Sequence, residues 1–124
     1  MAKLPEILDG KRRLGMEEYE VAQYSIIPSL TLEAVHDYVD RGIEPGGFVG
    51  AVLSNDLFEA VARVDDHNLP VLGDICQLIY NYAPVVCHGS PELYYAWIKR
   101  GGLAGQIKLT NEQEEAEHGE SGGI

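Results

Sequence analysis

A chain of 124 residues, 45% hydrophobic and 23% charged, has the size and balance of one globular domain and leaves no room for a second. Its net charge of −11 argues against sequence-independent nucleic-acid binding, which needs clustered Lys and Arg to release counterions. No apolar run approaches the roughly 20 residues that span a bilayer, and Glu6 and Asp9 interrupt any export signal, so a cytoplasmic protein with Cys76 and Cys87 as free thiols is expected. Such a chain buries about two-thirds of its unfolded surface. That margin is narrow, and homo-oligomerisation is the expected remedy.

Three zones follow one another. Residues 1–27 form a mixed N-terminal arm whose one basic run, Lys11-Arg12-Arg13, reads as a solvated patch. Residues 28–100 carry the apolar periodicity and hold ten acids against four bases. Residues 101–124 are an acidic tail, with five glutamates against Lys108 and too few apolar side chains to build a core.

The middle zone predicts a mainly α compact bundle of about five short helices. The first starts near Ser29 or Thr31, aligns Leu32, Val35, Tyr38 and Val39 on one face, and stops at Gly42. Glu44-Pro45-Gly46-Gly47 is a turn with Pro45 suited to open the second helix, whose apolar face is Phe48, Ala51, Val52 and Leu53. Asp56 with Glu59 makes a variant capping box for a third helix over residues 57–65, expected to bury Leu57, Val61 and Val64. After the break at residues 66–70, a fourth helix shows two stripes, one of Val71, Ile75, Leu78 and Tyr82, the other of Leu72, Cys76 and Ile79. Ser90-Pro91-Glu92 opens a fifth, with Leu93, Tyr94, Trp97 and Ile98 apolar and Gly101-Gly102 closing it. Val85-Val86-Cys87 could form one minor strand pair with residues 25–27.

The run Gly42-Ile43-Glu44-Pro45-Gly46-Gly47-Phe48, then Ala51-Val52-Leu53-Ser54-Asn55-Asp56-Leu57, Arg63, Asp65, Asn68, Tyr80 and Cys87-His88-Gly89-Ser90-Pro91-Glu92 through Trp97-Ile98, resembles a family of short uncharacterised proteins of tailed phages and prophages. It covers residues 27–100. His88 stands where that family carries an aromatic. The resemblance implies a phage origin and carries no activity with it.

Residues 54–68 are the most informative polar stretch. Arg63 could anchor an anion beside Asn55, Asp65 and Asn68, although a capped helix with a Glu59–Arg63 pair explains the same residues. Five aromatics crowd into 18 positions. Tyr94 and Tyr95 are adjacent on a helix and diverge by about 100°, so one of them reaches the surface, where it could stack a base. Tyr80, Tyr82 and Trp97 are candidates for an interface. Cys87 beside His88 is no nucleophile–base pair, since sequence neighbours usually point apart. Neither a metal nor a cofactor is suggested, because adjacent Asp65, Asp66 and His67 seldom reach one ion.

The reading is therefore a non-enzymatic, phage-derived binding protein, an anti-defence or host-takeover factor that sequesters a small nucleotide-like ligand or caps a host protein. Alternatives are a structural or regulatory adaptor of the phage particle or its replication machinery, and then a small hydrolase.

Overall fold

The computed structural model describes residues 22–105; the expected arm up to residue 21 and the acidic tail beyond residue 105 lie outside the described residues. Among the described residues, five α-helices build the bundle in chain order. They are α1 (Ser29–Arg41), α2 (Gly47–Leu53), α3 (Leu57–Arg63), α4 (Leu72–Tyr82) and α5 (Pro91–Arg100), with 3₁₀ turns at Leu69–Val71 and Val85–Cys87. The bundle is mainly α, as the periodicity predicts, and no described residue is in a strand. None of the described helices is long and apolar enough to cross a membrane.

Local chemistry sets the helix ends. Gly42 takes the left-handed conformation after α1 (φ 67°), and its N–H donates to the Tyr38 carbonyl at 2.8 Å. Ser90 caps α5 by accepting from the Leu93 N–H at 3.2 Å, with Pro91 in the first turn and Gly101 left-handed at the far end. The ends of α1 and α5 cross at two glycines. A Cβ on Gly102 would sit 2.5 Å from the Gly42 nitrogen, so only glycine permits that approach.

The core runs from Tyr24 and Ile27 through Leu32, Val35, Tyr38 and Val39 of α1 to Ile75 and Leu78 of α4 and Tyr94 and Trp97 of α5. Two buried polar anchors tie α1 to the 3₁₀ turn at Val85–Cys87 and to α5. The Tyr38 hydroxyl donates to the Cys87 carbonyl at 2.6 Å, and the Trp97 indole N–H donates to the Tyr38 carbonyl at 2.9 Å. Such pairing is what makes burying these groups tolerable.

Several expectations are corrected. Helix α2 starts at Gly47, with Gly46 as its extended N-cap, so Pro45 precedes the helix. Helix α3 ends at Arg63, because Val64 is already extended. It turns Leu57 (60% exposed) and Val61 (47%) outward with Phe58 (86%), and buries Ala60 instead. Helices α2 and α3 pack against one another, and Ala60 is the α3 residue that is buried. On α4, Cys76 faces out while Ile79 is buried. Val85–Cys87 makes no strand pair. The Cys87 N–H bonds back to the Pro84 carbonyl, and Ser25 and Ile27 bond back to Ala22 and Tyr24.

Candidate functional site

The turn before α2, helices α2 and α3 with the turn between them, and the first half of α5 frame a groove of about 480 Å³. Its lining comes from the turn before α2 (Glu44, Gly46), α2 itself (Gly47, Gly50, Ala51), the α2–α3 turn and α3 (Ser54, Asp56, Glu59, Arg63), and α5 (Pro91, Tyr94, Tyr95). The glycines of α2 admit two of the lining side chains. A Cβ at Gly47 would lie 2.9 Å from Arg63 Nη1, and one at Gly50 would lie 2.8 Å from the Tyr94 hydroxyl oxygen. Arg63 and Tyr94 thus lie directly over glycine backbone.

Of the expected ligand residues, Arg63, Tyr94 and Tyr95 are brought together here, while Asn55, Asp65 and Asn68 are not in the lining. Those three build turns. Asn55 adopts φ 62°, and its N–H bonds to the Val52 carbonyl, so it closes α2. Asp65 accepts from the backbone N–H groups of Asn68 (2.8 Å) and His67 (3.0 Å) and from the Asn68 side chain, which holds its carboxyl below the usual range. Asn68 is buried, and its side-chain oxygen accepts from the Thr31 hydroxyl at 2.6 Å, locking the turn to α1. Capping chemistry has consumed these polar groups.

The two tyrosines divide as their helical offset demands. Tyr94 is 5% exposed and stacks on Tyr38 with ring centroids 5.4 Å apart, so its ring face is not free. Tyr95 is 62% exposed, meets Tyr94 edge-on at 5.1 Å, and is the ring on which a ligand could stack. The Tyr94 hydroxyl makes no hydrogen bond among the described residues. Burial first, then the charge of Glu44 and the neighbouring Tyr95, push its pKa up to about 12, so at neutral pH it is a proton donor. Arg63 Nε donates to Glu59 Oε1, a pair about half exposed on both sides and cheaply traded for another partner.

The expected interface residues divide in the same way. Tyr80 is exposed (72%). Tyr82 is half-buried and meets Tyr24 edge-on at 5.8 Å. Trp97 is corrected to a core residue: it is 1% exposed, with its N–H already bonded. Cys87 is fully buried, and burial pushes its thiol up to about 12, far from the thiolate a nucleophile needs. Among the described residues, no three His, Cys, Asp or Glu side chains group as metal ligands.

Sequence reasoning missed the groove because it read Gly46-Gly47 as a turn alone. The available signal was Gly47 and Gly50, three apart on one helix and therefore on one face. The class of protein so defined is a small mainly α bundle with a polar, aromatic-lined groove. No protein-family model matches the chain, and neither a curated protein nor a solved structure does.

Proposed function

We propose that the chain is a phage-derived, non-enzymatic binding protein that sequesters a small nucleotide-like ligand, as an anti-defence or host-takeover factor in the bacterial cytoplasm. The observation that carries this reading is the convergence of Arg63 and Tyr95 on one groove of small-ligand size. Each element of a nucleotide has a matching group. The exposed Tyr95 ring stacks a base, the Arg63 guanidinium takes a phosphate, and Glu44, Asp56 and Glu59 accept from sugar hydroxyls. The acids outnumber the one cation, so Arg63 must leave Glu59 to meet the phosphate, and a highly charged ligand is disfavoured. The phage origin rests on the resemblance over residues 27–100.

A homo-oligomer belongs to the same reading. Leu57, Phe58 and Val61 form an outward apolar face on α3, the helix that also carries Arg63. That face equally supports the second reading, capping of a host protein.

Thermal melts of the purified chain against a panel of nucleotides test the proposal. One of them should raise the melting temperature saturably, and Arg63→Ala should abolish the rise while leaving the ligand-free melt within about 3 °C. A panel that leaves the melt unmoved contradicts sequestration.

A further inference from the structure

Arg63 is held from two sides. Its Nε donates to Glu59 Oε1 at 2.5 Å across one turn of α3, while a Cβ built on Gly47 of α2 would stand 2.9 Å from its Nη1 and 3.1 Å from its Cδ. The guanidinium therefore rests on glycine backbone and is occupied by a carboxylate of its own helix. Glu59 is fixed in turn, since its backbone N–H donates to the Asp56 carboxylate at 3.2 Å. Among the described residues that line the groove, Arg63 is the one base, and Glu44, Asp56 and Glu59 are the acids.

A phosphate that reaches Arg63 displaces the Glu59 carboxylate and leaves it without a cation. The lost pair matters little, because both side chains are about half exposed and such pairs contribute weakly. The displaced charge matters more. Carboxylate and phosphate compete for one guanidinium and so stand close together, where repulsion between like charges exceeds what an exposed pair contributes. One guanidinium cancels one negative charge on the ligand, and every further charge meets the carboxylates uncompensated. A phosphodiester carries a single charge at neutral pH, a terminal phosphate monoester close to two, and a triphosphate more.

We infer that Glu59 gates the groove by charge and restricts it to a nucleotide whose phosphate is a diester. The inference rests on the sequestration reading and names the ligand class of that site. A cyclic mononucleotide and a linear dinucleotide share this chemistry, so both serve as probes.

The test is isothermal titration calorimetry of the full chain in magnesium-free buffer with cyclic AMP, the dinucleotide ApA, AMP and ATP, which keep the base constant. At least one diester should bind about tenfold or more tighter than ATP, with AMP between, and the tighter of the two diesters identifies the source. Glu59→Gln should tighten ATP about fivefold or more and move the diesters less, narrowing the gap, with the melting temperature within a few degrees of the parent. Asp66→Asn removes an exposed acid outside the groove and should leave the gap unchanged, which separates Glu59 from the net charge of the chain. ATP binding as tightly as the diesters, or a gap that Glu59→Gln does not narrow, overturns the charge gate; if Arg63→Ala still weakens binding, sequestration stands. Binding of none of the four to either the parent or Glu59→Gln also overturns the gate, and the nucleotide panel then judges sequestration separately.

Discussion

Two tyrosines stacked on one another make opposite predictions when each loses only its hydroxyl. Tyr38 is fully buried and donates to the Cys87 carbonyl at 2.6 Å, with the Tyr94 carbonyl at 3.3 Å. Tyr38→Phe keeps the ring and its stacking but strips a buried carbonyl of its donor. Leaving such an acceptor unsatisfied costs about 1–3 kcal/mol. For a domain of this size each kcal/mol moves the melting temperature by about 4–8 °C, so a loss of roughly 8–16 °C is expected for a cost near 2 kcal/mol. Tyr94→Phe removes a hydroxyl that bonds to none of the described residues and should change stability by less than about 0.5 kcal/mol. Chemical denaturation followed by far-ultraviolet circular dichroism measures both variants in one series. The reasoning is refuted if Tyr94→Phe costs as much as Tyr38→Phe, since the hydroxyl of Tyr94 would then be tied into the fold and not offered to a ligand.

Other predictions follow from the same geometry. Gly102→Ala should destabilise by about 2–4 kcal/mol, combining the left-handed backbone (φ 69°) with a Cβ 2.5 Å from the Gly42 nitrogen, and Gly73→Ala, with nothing within 4 Å on α4, should stabilise by about 0.5–1 kcal/mol; urea titration compares the two. Gly50→Ala should weaken ligand binding by displacing the Tyr94 tip, whereas Gly47→Ala meets the movable end of Arg63 and should leave the melt nearly unchanged, both read by calorimetry and thermal melts. Stability measured against pH should form a plateau. Burial raises the pKa of Cys87 to about 12 from an ordinary value near 9, and raises Tyr38 as well, so both hold their protons more tightly when folded; that stabilisation is complete below about pH 9 and is lost as pH rises towards 12. His88, with Nε2 buried and unpartnered, has its pKa lowered by burial, so stability falls as pH drops below about 6.5, and His88→Phe should remove that acidic slope.

Helix ends were legible because their chemistry is local. Ser90-Pro91-Glu92, Gly42 and Gly101 each satisfy backbone groups within a few residues, and the structure uses them so. The divergence of Tyr94 and Tyr95 was legible for the same reason, since a 100° step separates any helical neighbours. Which tyrosine would be buried was not, because that depends on Tyr38, 56 residues away. The orientation of α3 was misread for a related cause. Large apolar residues at 57, 61 and 64 outweigh Ala60 in any periodicity, yet Ala60 is the residue that α3 buries, and which face of a helix meets its neighbours depends on packing that local periodicity does not contain. Asn68 looked available for a ligand until Thr31 arrived from α1 as a partner, while Asp65 is taken up by its own turn with His67 and Asn68. The groove itself is made of long-range juxtapositions, and glycine leaves no side chain to mark where one will form.

Native mass spectrometry of the protein purified from a bacterial host, under conditions that retain bound small molecules, tests the central claim most directly. Sequestration predicts a defined oligomer carrying stoichiometric extra mass, shed by Arg63→Ala and of a value that fits a nucleotide. A ligand-free species that also takes up no added nucleotide would contradict it.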